Sequence, residues 1–245
     1  MPSNIELKFY PNDQALGAAA AQDWLKLLQQ SSGSFSVAVS GGRIAKTFFV
    51  EVTELARKSG ISLANVHFFW ADERCVPPTD PESNFLLAEE NLLRPLGIAA
   101  DKIHRLKGEL PPAAAVAEAV NDIRRIVPLD KAGAPVLDLI FLGLGEDGHT
   151  ASLMPNAPAE VQASREPYVH VRNSAKPPPN RLSMTYPVLA AAKDVWALVA
   201  AAGKEEALRD SLQPGGKTPF GHVLETRGHS VIYTDLNEKA MERSN

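Results

Sequence analysis

His149 is the residue of this sequence best equipped for proton chemistry. It stands directly behind a glycine loop in the stretch VLDLIFLGLGEDGHTASLMP (136–155), and an imidazole, with an ordinary pKa of about 6.5, exchanges protons near neutrality. Asp147 precedes it closely, and Thr150 and Ser152 bring hydroxyls beside it in the chain. Gly143, Gly145 and Gly148 also satisfy the G-x-G-x-x-G spacing of a dinucleotide loop after an apolar strand. The context then fails. A dinucleotide loop opens a helix at its third glycine and has an acid about 20 residues further on. Here Pro155 and Pro158 interrupt any helix, PYVHVR (167–172) carries no acid, and Glu146 and Asp147 would repel a pyrophosphate. A turn that needs only glycine's backbone freedom is the plain alternative. A titratable cluster just past the carboxyl end of a buried strand, where open α/β sheets bind ligands, favours chemistry.

A second glycine loop, VSGGRIAKT (39–47), also runs from a strand into a helix. Set against the Walker pattern, Ser40 and Ala45 occupy the two glycine positions, so ATP is not the expected ligand. Ala38 likewise breaks the G-x-S-x-G nucleophile elbow around Ser40. What remains is an anion site: Ser40, Gly41 and Gly42 offer a hydroxyl and backbone N–H groups at a helix start, and Arg43 adds charge. A phosphate monoester suits it. Three further cations follow strand-like runs or a stiff loop. They are Arg74 in FFWADERCVPP (68–78), after Asp72 and Glu73; Arg181 after the triple proline of PPPNRLSMTYPVL (177–189); and Lys204 in VWALVAAAGKEEAL (195–208). Each is ordinary alone, but all four are expected at the same sheet edge as His149.

The elements that must place these residues alternate. Strands are expected at 5–10, 35–40, 65–73, 136–142, 194–201 and 228–235, and helices at 13–30, 45–60, 83–97, 112–127 and 204–212, with Ser83 capping the third helix and Gly97 ending it. Continuous apolar strands between helices predict one α/β domain over 1–245, with a mostly parallel sheet covered by helices on both faces. The loops 76–82 and 173–180 are proline-rich and are expected to lie over a site.

Bulk properties narrow the partners. The 245 residues carry a net charge of −4 and are 44% hydrophobic and 22% charged, as in an ordinary globular enzyme. That charge argues against nucleic acid. No apolar run approaches the ~20 residues of a membrane span, MPSNIELKFY lacks the pattern of a signal peptide, and the cytoplasm is expected. Cys75 is the single cysteine, which excludes an internal disulfide. The histidines at 67, 104, 149, 170, 222 and 229 show no metal-ligand spacing, so neither a metal nor another cofactor is expected.

The chain resembles the bacterial-type 6-phosphogluconolactonases, within the glucosamine-6-phosphate isomerase/6-phosphogluconolactonase family. The resemblance is carried, in the family's order, by SGGR (40–43), WADERCVP (70–77) with SN (83–84), DLIFLGLGEDGHTASLMP (138–155), NRLSMT (180–185) and AAAGKEEAL (200–208). Ile44-Ala45 replace the family's Ser/Thr-Pro, and Met154 replaces its Phe. The resemblance implies a modified Rossmann-like fold shared with glucosamine-6-phosphate deaminases. The implied reaction is hydrolysis of 6-phospho-D-glucono-1,5-lactone to 6-phosphogluconate, the second step of the oxidative pentose phosphate pathway. It implies His149 as the base that activates water, with Asp147 or another acid orienting it. Arg74 or the glycine-loop amides would stabilise the oxyanion, and Ser40, Gly41, Gly42, Arg43, Arg181 and Lys204 would hold the phosphate. The sole expected partner is the sugar-phosphate lactone; the expected assembly is a monomer, with a weak homodimer as the alternative. Two other function classes compete: an isomerase-deaminase, which would release ammonia from glucosamine 6-phosphate, and a sensor that binds 6-phosphogluconate without turnover.

Overall fold

The apolar runs form strands because helices cover both of their faces, and the polar or glycine residues behind each run end them. A computed structural model of the chain describes residues 5–174 and 177–238. Its elements are β1 (Ile5–Phe9), α1 (Asp13–Gln30), β2 (Phe35–Val39), α2 (Arg43–Ser59), β3 (Val66–Trp70), β4 (Asp72–Arg74) and α3 (Asn84–Ala88), which continues into a π-helical turn (Glu89–Leu93). A 3₁₀ turn (Ala100–Lys102), α4 (Pro112–Ile126), β5 (Leu139–Gly143), α5 (Ala159–Gln162), β6 (Tyr168–Val171) and β7 (Arg181–Met184) follow. The chain goes on through α6 (Tyr186–Ala191), β8 (Asp194–Val199), α7 (Glu205–Ser211), α8 (Pro219–Glu225) and β9 (Ser230–Thr234).

Six strands form one sheet in the order β1-β9-β8-β5-β2-β3, and every pairing in it is parallel. From β2 the chain crosses to β3 on one side, whereas from β5 it moves to β8 on the other. The crevice between β2 and β5 is therefore a switch point, where the loops behind neighbouring strands diverge and leave room for a ligand. Both glycine loops open onto it. The architecture is the α/β fold expected from the sequence, and the same hydrophobic cluster reaches residues of both sheets, including Phe141 and Leu182.

The expected strand 65–73 is corrected. It stops at Trp70, and Asp72–Arg74 turn into a separate antiparallel sheet of order β4-β7-β6. Ala71 is the pivot: its N–H donates to Val39 O at 2.8 Å in the large sheet, and its carbonyl accepts from Met184 N at 2.7 Å in the small one. The small sheet sets Arg74 directly across from Arg181. Of the proline-rich loop 173–180, Ala175 and Lys176 lie outside the described residues, as do residues 1–4 of the N-terminal stretch. Among the described residues no helix is long and apolar enough to cross a membrane.

Candidate active site

The loop behind β5 is folded around its own histidine. Gly145 N–H donates to His149 O at 2.9 Å, and Gly148 N–H to Gly145 O at 3.0 Å. A Cβ at Gly145 would collide with the His149 ring and crowd Asp147; that glycine makes room for the pair rather than for a cofactor. His149 Nδ1 lies 2.5 Å from Asp147 Oδ1, which also accepts the His149 backbone N–H at 3.3 Å. An ionised carboxylate only accepts, so Nδ1 carries a proton, which makes Nε2 the nitrogen with the lone pair in the neutral ring. Among the described residues no hydrogen bond uses Nε2. Burial pushes the Asp147 carboxyl up, but the hydrogen bond and charge of His149 outweigh this and hold it below the usual carboxylate range. Asp147 is thus an ionised brace behind the ring.

Thr150 and Ser152 do not stand beside the imidazole as reactive hydroxyls. Both are fully buried: Thr150 Oγ1 donates to Gly143 O at 2.9 Å and Ser152 Oγ to Asp72 Oδ2 at 2.7 Å. They fasten the loop to β5 and to β4, because adjacent residues in a tight turn point in different directions.

His149 opens into a cleft of about 470 Å³, and Ser40, Gly41, Gly42, Arg43, Arg74, Arg181 and Lys204 line the same cleft. The four cations expected at one sheet edge are thereby together. Two details differ from the sequence reading. Ser40 Oγ donates to Phe141 O at 2.9 Å, so its proton is engaged with β5. Ile44 and Ala45 are buried in the core, while α2 still begins at Arg43 behind Gly42. The Arg181 guanidinium is buried, its Nε and Nη2 donating to Pro178 O and Pro177 O, each at 3.2 Å. Burial pulls its pKa down and Asp72 pulls it back up. Arg74 Nη1 is held by Glu82 O at 2.5 Å, which ties the proline-rich loop 76–82 to the site. Its buried Nε finds no acceptor among the described residues. Like charges directly across a ladder are unfavourable, and Arg74 is offset here by Glu82, whose Oε2 lies 3.6 Å from its Nη1.

Asn84 and Asp72 also line this cleft, and the sequence singled out neither for binding. Asn84 Nδ2 donates to Asp72 O at 2.9 Å and reaches Asp72 Oδ1 at 3.3 Å, and a Cβ on Gly41 would strike the Asn84 amide. This buried asparagine joins the SGGR loop to β4. Glu73, by contrast, turns away from the cleft. Its carboxylate accepts from the backbone N–H groups of Arg74 (2.7 Å), Asn84 (2.8 Å) and Phe85 (2.8 Å), and from Ser83 Oγ (3.0 Å). Burial pushes its pKa up to about 6 against the pull of these bonds. It clamps the start of α3 to β4, and a carboxylate so engaged is no base for a substrate. The only signal in the sequence was Ser83 as a cap.

Comparison with known proteins places the chain in a family. The family model described as glucosamine-6-phosphate isomerases/6-phosphogluconolactonase matches residues 11–232. A 6-phosphogluconolactonase of Streptomyces coelicolor is 34% identical over 208 residues, covering 82% of this chain and 79% of its own. Matches to chloroplastic 6-phosphogluconolactonases of Oryza sativa and Arabidopsis thaliana cover 64% of those longer chains. A crystal structure of a devB protein superposes with a TM-score of 0.83 at 32% identity, over 94% of this chain and 95% of that one. A monomeric glucosamine-6-phosphate deaminase superposes with a TM-score of 0.79 over 96% of this chain and 98% of its own; at 15% identity it shows the shared fold alone. By its sequence and its fold, the chain belongs to the glucosamine-6-phosphate isomerase/6-phosphogluconolactonase family.

Proposed function

We propose that this protein hydrolyses 6-phospho-D-glucono-1,5-lactone to 6-phosphogluconate. The observation that carries the reading is that His149, its Nδ1 held by Asp147, lines a cleft also lined by four cations. A lactone is an activated ester, so one positioned base suffices. Water attacks C1, its proton passes to Nε2, and charge gathers on the carbonyl oxygen. Arg74, whose side chain lines the cleft, supplies a guanidinium suited to that charge. The tetrahedral intermediate collapses, the C1–O5 bond breaks, and the imidazolium returns the proton to the departing ring oxygen. Asp147 stabilises the imidazolium in between. The 6-phosphate would lie against the Gly41–Gly42 amides, Arg43, Arg181 and Lys204, so that its binding energy fixes C1 against the activated water.

The test follows lactone generated in solution against its spontaneous hydrolysis. Wild-type protein should accelerate ring opening, His149→Asn should not, and glucosamine 6-phosphate should release no ammonia. Tight 6-phosphogluconate binding without any acceleration would replace the hydrolase with a sensor.

A further inference from the structure

The turn behind β8 holds an alanine where glycine would be at ease. Ala201 has φ of +79°, and Gly203 of +95°. A Cβ disfavours this left-handed region, and a residue kept there marks a place where the surroundings over-determine the backbone. Ala200, Ala201, Ala202 and Lys204 all line the His149 cleft, so the turn forms one of its walls.

What holds it lies on the neighbouring strand. β8 and β9 end side by side, Val199 in register with Thr234. Asp235, the next residue, accepts the Ala201 N–H on Oδ1 at 2.9 Å. A second carboxylate, Glu205, accepts the Gly203 N–H at 2.8 Å. Asp235 is not among the cleft-lining residues, so its charge supports the wall from behind rather than facing an anion. Charge-assisted bonds of this kind are the stronger ones and fix a backbone direction.

We propose that Asp235 is a positioning residue for the phosphate end of the site. By anchoring Ala201 it keeps the 200–203 turn, and Lys204 behind it, at the cleft wall. The inference rests on the phosphate assignment above and adds to it a residue outside every motif of the sequence. Because Asp235 touches the turn and not the reacting atoms, its loss should weaken phosphate recognition and spare the chemistry.

The experiment compares 6-phosphogluconolactone with unphosphorylated gluconolactone. Asp235→Ala should raise KM for the phosphorylated lactone, and Kd for 6-phosphogluconate, by about tenfold. Its kcat should stay within about twofold, with kcat/KM for the unphosphorylated lactone unchanged. Adding Ala201→Gly to Asp235→Ala should recover most of the lost affinity, since glycine enters the left-handed region without strain. If Asp235→Ala does not fold, Asp235→Asn, which keeps an oxygen acceptor, carries the same test with a smaller rise in KM. Equal losses on both lactones, or an unchanged KM, would overturn the inference while the wild type still discriminates between them. A wild type that treats both lactones alike overturns the phosphate assignment, and this inference with it.

Discussion

Among the described residues, His149–Asp147 and His104–Asp122 each lie beside a cleft, and the two pairs are alike at first inspection. His149 Nδ1 meets Asp147 at 2.5 Å, and His104 Nδ1 meets Asp122 at 2.7 Å. The difference is at the other nitrogen. His104 Nε2 bonds His67 Nδ1 at 2.9 Å, and His67 Nε2 bonds Lys102 Nζ at 3.0 Å. A lysine ammonium only donates, so the chain has one polarity, from Lys102 through both neutral rings to Asp122. Every imidazole nitrogen in it is engaged. The ring of His104 also stacks on Phe69, with centroids 4.5 Å apart. The second cleft, about 430 Å³, is lined by Arg105, Lys107 and Arg125, and each is paired with an acid: Glu109, Glu118 and Asp122. In the first cleft Arg74 is paired as well, with Glu82 at 3.6 Å, and it stands across a ladder from Arg181, so acid partners do not separate the two clefts. A histidine–aspartate pair beside a pocket therefore does not by itself single out a reactive imidazole; the two differ in that no hydrogen bond uses His149 Nε2 among the described residues, whereas both nitrogens of His104 are engaged.

Exchanging each histidine gives the largest contrast. His149→Asn should lower kcat by about 10²–10⁴ while leaving 6-phosphogluconate affinity nearly intact, because the residue acts on water. His104→Asn should leave kcat within about threefold and instead lower unfolding free energy by about 1–3 kcal/mol, since His67 and Asp122 lose a buried partner. Steady-state kinetics and denaturant titration of both variants check this; a His149→Asn enzyme that keeps more than about a third of its kcat would falsify the contrast.

The cations come next. Lys204→Ala and Arg181→Ala should weaken binding of the phosphorylated lactone by roughly 2–5 kcal/mol each, if each meets the phosphate as a desolvated charge pair. Lys107→Ala, at the other cleft, should change KM by less than about twofold, because its exposed pair with Glu118 contributes little. Equal effects at the two clefts would show that the anion end has been placed wrongly.

How far the sequence foresaw this contrast depends on the range of the interaction. The cations at 43, 74 and 204 were legible because each follows an apolar run, whereas Arg181 follows a proline-rich loop and opens β7, which the small antiparallel sheet brings opposite Arg74. Helix α1 matched the expected 13–30 because Asn12 caps it locally, accepting from Ala15 N at 2.8 Å. Strands β6 and β7 were missed: YVHV and RLSM are four residues each and pair antiparallel across an intervening loop, so neither carries a periodic signal of its own. Asn84 and Glu73 were opaque for the same reason, their partners lying across the loop between β4 and α3. The hydroxyls of Thr150 and Ser152 were misread because nearness in sequence says nothing of direction within a turn. Nothing in the sequence separated His104 from His149 by its partners, since those partners are His67, Lys102 and Asp122, brought together only by folding.

A smaller effect is expected at the acids. Asp147→Asn keeps the shape of the brace but removes the charge that stabilises an imidazolium, and should lower kcat by about tenfold, with Asp147 partly open to solvent. Asp122→Asn should leave kcat unchanged. A pH–rate profile of the two variants separates them, because only the first alters a group bonded to the base.

The smallest effect concerns pH and stability in the second pair. Burial lowers the pKa of His67, Lys102 and His104 add to the lowering, and Asp101 opposes it. A base with a depressed folded pKa binds fewer protons folded than unfolded. Its neutral form therefore contributes stability that is complete above the ordinary histidine value of about 6.5 and is lost as pH falls below it. Protonation at Nε2 would also set an N–H against the Lys102 ammonium and break the directional chain. Tm should accordingly fall between about pH 7 and pH 5.5, with this relay contributing at most about 2 °C, because His67 is only partly buried and solvent screens its charge. Lys102→Met removes the opposing cation, so protonation of His67 becomes easier and the Tm decline shallower, although the variant starts from a lower Tm. Its kcat/KM profile should overlay that of the wild type, since none of Lys102, His67 and His104 lines the His149 cleft. A Lys102→Met profile displaced along the pH axis would mean that the two pairs communicate, and the division between an open and a closed imidazole would then no longer suffice to say which one does the chemistry.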